Sequence, residues 1–368
     1  MRARNNKIVL LFLTYIVMIV AKFITFILPA KYTYDNSRIV SMVNQDGLMP
    51  AWSGSYETTA NVFRYINVLQ FQTLLEWSLS LGIILTTLAA SLIFINCNLD
   101  FYQEVFWLCC IGLLNIYVFN IGKDSIQFCF FFLAFLIGIS LISIPMKLFL
   151  ITILFMIESI YFREYYIIVA AFFVAIIALT YVLHRSKRSV KIYKYIIFIL
   201  VIVYAFLILS SIVAPEQYRE VASAREGVNK NREGSADAAT LISNLYPGNT
   251  LISALINYPI NAARMLIPVE LLFKGLNYLP FVVFQLLVTV YLIYCTRLVF
   301  SHFVLDNSYL IIYTIFISFI LTSFFFEPDF GSWVRHEIAS FPVFQYLFFS
   351  KYCKNIFINK RIPQKVIQ

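Results

Sequence analysis

Long apolar runs fill this chain, and the charged residues sit almost entirely between them. Runs such as Ile8–Leu28, Thr73–Ile95 and Tyr195–Ala214 approach the ~20 residues that a helix needs to cross a bilayer. Of the 368 residues, 61% are hydrophobic and only 13% charged, with a mean hydropathy of +0.81. No soluble domain buries that much apolar surface. Backbone groups in lipid must bond within their own segment or a closed sheet, so only helices or barrels remain. The runs are continuously apolar rather than alternating over about ten residues, which selects helices. The expected fold is all-α: a polytopic transmembrane helical protein, with residues 1–368 forming a single integral membrane domain.

Ten spans can be drawn: Ile8–Leu28, Thr73–Ile95, Val105–Ile121, Ile126–Ile144, Leu148–Phe162, Tyr165–Leu183, Tyr195–Ala214, Leu279–Leu298, Ser308–Phe326 and Ile338–Phe349. The fifth and the last are short for a full crossing. The first is too long for a signal-peptide core and lacks a small-residue cleavage site, so it is expected to be retained. Basic residues set the orientation. Arg2, Arg4 and Lys7 precede the first span, Arg185, Lys187, Arg188, Lys191 and Lys194 follow the sixth, and Lys351, Lys354, Lys360, Arg361 and Lys365 follow the last. With ten spans all three groups share one side, which puts both termini in the cytoplasm. Topology therefore accounts for much of the +9 net charge, and no nucleic-acid partner is implied. Cys97 and Cys353 fall in cytoplasmic loops and the other four cysteines within spans. That pattern implies no disulfide framework, and no Cys/His cluster suggests a metal.

The opposite face carries the chemistry. It comprises outer loops 30–72 and 215–278 together with three short knots, Gly122-Lys123-Asp124, Arg163-Glu164 and Arg335-His336-Glu337, each directly after an apolar segment. Ionisable groups at membrane depth are costly and usually serve a site. Lys123, Arg163, Arg264 and Arg335 bring four cations to one surface, and a guanidinium fork matches phosphate geometry. Asp124, Glu164, Glu270, Asp329 and Glu337 could neutralise them or act as a base. His336 is the one histidine on this side. Tyr161, Tyr165, Tyr166, Phe330 and Trp333 could stack on sugar rings, although the interfacial aromatic belt explains such residues without a ligand.

The longer outer loop has two parts. Residues 216–237 alternate Arg219, Arg225, Lys230 and Arg232 with acids; this suits a solvated face, with Arg219 and Arg225 as candidate substrate contacts. Residues 251–272 are apolar but broken by Pro259 and Pro268, as in interfacial or re-entrant helices. Arg264 within them suits a phosphate contact or lipid-headgroup anchoring.

In Asn120-Ile-Gly-Lys-Asp-Ser125, Phe162-Arg-Glu-Tyr165 and Gly331-Ser-Trp-Val-Arg-His-Glu337, and in its whole topology, the chain resembles the bacterial polysaccharide polymerases of O-antigen and capsule pathways, the Wzy type. The resemblance implies a glycosyltransferase at the outer face of the inner membrane that needs no nucleotide sugar, ATP or other cofactor, and nothing in the sequence demands a metal. It would transfer a glycan from undecaprenyl pyrophosphate to a second lipid-linked repeat unit, beside a flippase and a chain-length regulator. Arg163, Arg335, His336, Glu337 and Asp124 become the catalytic candidates. Lys123, Glu164, Arg264, Glu270, Arg219 and Arg225 become substrate-binding ones.

Three alternatives fit less well. An O-antigen ligase shares the donor, but residues 215–278 hold no histidine. A mannosyltransferase-type enzyme would place an acidic pair in the first outer loop, where Asp35, Asp46 and Glu57 stand apart. A flippase or transporter would line its spans with charge, and only Lys22 and Glu76, with Glu158 near the end of its short span, lie clearly within apolar runs. Lys22 is expected to snorkel or to pair with Glu76.

Overall fold

The computed structural model describes residues 2–45, 54–95, 99–185, 192–213, 215–216, 218, 227, 240–246, 248, 250–300 and 306–353. Among them the secondary structure is helical, with one isolated bridge between Leu241 and Asp329. Seven helices are long and apolar enough to cross a membrane: Asn6–Ile27, Leu74–Phe94, Phe101–Val118, Ile144–Tyr161, Tyr193–Val213, Leu279–Val299 and Asn307–Phe326. The chain is an all-α polytopic membrane protein. It divides into two compact units, residues 1–167 with 335–368, and residues 168–334.

In the first unit, α1 (Arg2–Ile27) packs on α4 (Leu74–Ser91) and α5 (Phe101–Leu113). Thr73 and Glu76 form a capping box at the start of α4, and Asp100 and Gln103 do so at α5, so the orphan amides of both helices are satisfied locally. Phe12, Phe23 and Ile27 stand exposed on α1, as suits a face turned to lipid. α5 runs into a π turn, Leu114–Val118, before α6 (Lys123–Ile139) and α7 (Ile144–Tyr161).

The stretch between the first two spans holds a pair of packed helices, α2 (Tyr34–Val43) and α3 (Ser55–Ile66). Arg64 of α3 donates to the carbonyls of Met42, Val43 and Gln45 at 2.7, 3.3 and 3.2 Å. A cation thus closes the negative end of α2.

The short tenth run has a physical explanation. α14 (Phe330–Ala339) and α15 (Phe341–Phe348) break at Ser340, where Pro342 follows; proline lacks the amide that would continue the first helix. α15, only eight residues long, covers about 12 Å. It is nevertheless buried almost throughout, so no unpaired backbone faces lipid. Gln103 donates to the Phe348 carbonyl at 3.1 Å, and Phe341 meets Trp107 edge-on. At its other end the segment meets α6, where Gln127 donates to the His336 carbonyl at 3.3 Å. Residues 341–348 therefore pack on α6 and reach α5 through Phe341 and the Phe348 carbonyl.

The second unit holds most of α8 (Tyr166–Arg185), with α9 (Ile192–Val213), α10 (Leu251–Leu266), α11 (Val269–Leu272), α12 (Leu279–Phe300) and α13 (Asn307–Phe326). Residues 251–272 are helical and break at Pro268 as the proline pattern anticipates, but Pro259 sits inside α10 without interrupting it. α10 packs on α13, where the Tyr258 hydroxyl donates to the Leu321 carbonyl at 2.9 Å.

Candidate functional site

Asp124 sits in the first turn of α6, a position where the helix dipole favours a carboxylate. Arg163 lies in the turn between α7 and α8. Its amide bonds the Glu158 carbonyl at 3.0 Å, and its carbonyl accepts from the Tyr166 amide at 2.9 Å, which fixes the turn at both sides. Arg335 and His336 are neighbours on α14. These separate local structures converge on one carboxylate.

The Arg163 guanidinium donates to Asp124 Oδ1, and His336 Nε2 is 3.4 Å from the same oxygen. Arg335 Nε approaches Oδ2 at 3.1 Å. Arg163 also donates to Gln127 Oε1, and to the Tyr165 hydroxyl at 3.1 Å. Burial alone would raise the Asp124 carboxyl, but the guanidiniums of Arg335 and Arg163, with His336, hold it well below the usual carboxylate range.

A second layer comes from the α2–α3 pair. Asp35 Oδ2 lies 4.0 Å from Arg335, and Asp35 Oδ1 accepts from the Tyr56 hydroxyl at 2.8 Å. The Tyr56 ring carries two cations, with Lys123 Nζ 3.7 Å and the Arg38 guanidinium carbon 4.4 Å from its centroid. Burial and the bond to Asp35 push the Tyr56 phenol up to about 12. Burial, and then the Arg163 charge, bring Lys123 down to about 8 against the pull of Asp124 and Asp35. Asn36 donates to the Ile121 carbonyl at 2.6 Å, tying α2 to the turn before α6.

Among the described residues, four cations (Lys123, Arg163, Arg335 and Arg38) gather with Asp124, Asp35 and the buried Glu158, which lies within reach of Arg163. Fixed positive charge gathered in a partly buried setting suits an anionic ligand. The accessible part is Arg335, whose side chain is 30% exposed, whereas that of Arg163 is 8% exposed.

The structure brings Lys123, Asp124, Arg163, Arg335 and His336 together. Glu164 points outward as an exposed side chain, while its carbonyl accepts from Ser159 at 2.8 Å. Glu337 is fully buried within electrostatic reach of Cys110 rather than open to a ligand. In the second unit, Arg264 gives its fork to both oxygens of Glu270 at 2.9 Å and a further N–H to the Ser243 carbonyl at 2.5 Å. Those bonds occupy the guanidinium within its own unit. Asp329 accepts from the Ser332 amide at 2.8 Å and caps the start of α14. Arg219 and Arg225 lie outside the described residues.

Sequence reasoning missed Gln127, Asp35, Tyr56 and Arg38. Gln127 carried a signal: it is a polar residue in an apolar run, one turn past Asp124 on the same helix face. The others carried none beyond lying in the polar stretch after the first span. The expected pairing of Lys22 with Glu76 is not what forms. Glu76 turns back to cap its own helix, and Lys22 is buried on other oxygens.

No family model, curated protein or solved structure matches this chain.

Proposed function

We propose that this chain polymerises lipid-linked oligosaccharide repeat units at the outer face of a bacterial inner membrane, with both termini in the cytoplasm. One observation carries the reading: three charged knots far apart in sequence meet around Asp124 at one end of a membrane unit, with cations gathered there.

The reaction moves a growing glycan from undecaprenyl pyrophosphate to a hydroxyl of a second lipid-linked repeat unit. The bond from the anomeric carbon to the pyrophosphate oxygen breaks, and its electron pair leaves with the phosphate. A bond forms from the acceptor oxygen to the same carbon, and the acceptor proton goes to a base. Fixed cations in a low-dielectric site favour the departing charge. Arg335 and Lys123 are suited to touch the pyrophosphate. Arg163 is suited to hold Asp124, since three of its five N–H donors are given to Asp124, Gln127 and Tyr165. Asp124 is a poor base while salt-bridged, and Glu337 is sealed in the interior. His336 remains, oriented by Asp124, and imidazole is the side chain most often used for such transfer. A flippase supplying the repeat units and a chain-length regulator are the partners this reaction needs.

Deletion of the gene in its host tests the reading. Surface glycan should shrink to a single repeat unit. Polymerised chains accumulating on their lipid carrier would instead identify a ligase.

A further inference from the structure

Lys22 lies in the last third of the apolar helix α1, and the residue is only 3% exposed. Its ammonium meets four oxygens: the carbonyls of Phe119 at 2.6 Å and Asn115 at 3.0 Å, Ser78 Oγ at 3.1 Å and Asn120 Oδ1 at 3.2 Å. Ser78 also donates to Asn120 Oδ1 at 2.6 Å. The carbonyl of Asn115 belongs to the π turn that follows α5 and that of Phe119 to the residue just after it, where the Phe119 amide closes on the Leu114 carbonyl at 2.7 Å. Carbonyls at a helix end lack intrahelical partners and carry the negative end of the dipole, so a cation is the group they favour. Space for it is built in, because a Cβ on Gly82 would lie 2.4 Å from Lys22 Cε.

Those oxygens also mark the start of the turn that leads into the site. Phe119 and Asn120 are gripped by Lys22 from within the unit, and Ile121 is held by Asn36 of α2 at 2.6 Å. Lys123 and Asp124 follow directly. We propose that Lys22 is a positioning residue for the anion site: its ammonium sets the turn at 119–122 and thereby the places of Lys123 and Asp124. The proposal rests on the reading of the Asp124 cluster as the site that binds pyrophosphate.

The test uses the full chain in detergent at pH 7, with inorganic pyrophosphate as the probe and binding measured well below the melting temperature. Weakening one hydrogen bond to a charged group is worth roughly tenfold in affinity, so Lys22→Met should weaken pyrophosphate binding roughly tenfold or more. Gly82→Ala keeps the lysine but displaces it, and should have the same effect in a protein that retains its buried charge. The double variant Lys22→Met/Gly82→Ala should be no worse than Lys22→Met alone, because both act through one contact. Lys147→Met is the control for a structural loss alone. Lys147 is also buried, donates to the Gly138 carbonyl at 2.8 Å, and lies at the opposite end of α6. That variant should melt lower and bind pyrophosphate as the wild type does. Wild-type affinity in Gly82→Ala and Lys22→Met, an equal loss in Lys147→Met, or multiplying effects in the double variant would each overturn the positioning role. No pyrophosphate binding by the wild type would overturn the reading of the cluster itself.

Discussion

Arg335 places its Nε 3.1 Å from Oδ2 of Asp124, the oxygen opposite the one taken by Arg163 and His336. One carboxylate thereby gathers two guanidiniums and an imidazole. Cations this close repel each other strongly in a medium of low dielectric. The buried anion offsets that repulsion, and a phosphate arriving at the exposed side of Arg335 would offset it further.

Replacing either arginine by lysine keeps the charge and removes the planar fork. Hydrogen bonds to charged groups contribute roughly 1.5–3 kcal/mol each, so Arg335→Lys should cut long-chain glycan about tenfold or more. Its partial exposure predicts little loss of stability. Arg163→Lys should lower both product and stability, because that guanidinium bonds Gln127, Tyr165 and Asp124. Arg163→Ala should be worse still. Arg185→Lys and Arg188→Lys, which keep the charge that orients the chain, should leave the ladder unchanged. Gels of glycan length matched to membrane protein levels read the result. Wild-type ladders from both Arg163 variants and from Arg335→Lys would mean that the glycan site lies elsewhere.

Asp124→Asn should unmask the repulsion. Removing one partner of a buried ion pair costs about 3–5 kcal/mol, so the purified variant should melt well below the wild type. Added pyrophosphate should raise its melting midpoint more than it raises that of the wild type, since the anion substitutes for the lost carboxylate. An equal rise in both proteins would count against an anion reaching this cluster.

Arg264 and Glu270 form a closed pair in the second unit, with both carboxylate oxygens on the guanidinium at 2.9 Å. Glu270 keeps 34% of its side chain exposed, so the pair is worth no more than about 1 kcal/mol. Arg264→Ala and Glu270→Ala should each lower the melting midpoint slightly, and the double variant should lower it no further than the worse single one. None should change pyrophosphate affinity. A specific loss of affinity in Arg264→Ala would return this arginine to the binding site.

Seven of the ten drawn spans return as helices long and apolar enough to cross, because an apolar run of sufficient length in lipid has few options besides a helix; among the described residues, Ile126–Ile144, Tyr165–Leu183 and Ile338–Phe349 are not among them. The three knots were legible because charge beside such runs is costly. The shortness of the run at Ile338–Phe349 was visible, and its reason, a break at Ser340 before Pro342, lay in the same residues. What escaped the sequence depends on side-chain direction across long separations. Nothing local tells that Lys22 reaches the π turn after α5 rather than Glu76, which its own helix start claims. Nor does a tyrosine in a polar loop announce that Lys123 and Arg38 will settle on its ring. Arg264 looked available because its acidic partner, six residues on, lies beyond a proline break.

Lys123 gives the cluster a pH dependence whose sign can be worked out. Burial and the Arg163 charge lower it from the usual lysine value of 10.5 to about 8. Between pH 8 and 10.5 the unfolded chain holds a proton that the folded chain has released, so the unfolded state binds more protons and stability rises with pH. Below this window both states are protonated and the slope vanishes. Lys123→Met removes the contribution, so melting midpoints of the wild type minus those of the variant should climb from pH 8 toward pH 10. Tyr56, with its phenol at about 12, stays neutral across most of this range. Anion binding should run the opposite way, because deprotonation removes one positive charge from the site. Sulfate, whose own charge is fixed here, should bind the wild type more weakly at pH 9 than at pH 7. In Lys123→Met the affinity should be low at both. Parallel pH profiles for the two proteins, in melting and in sulfate binding alike, would remove Lys123 from the site.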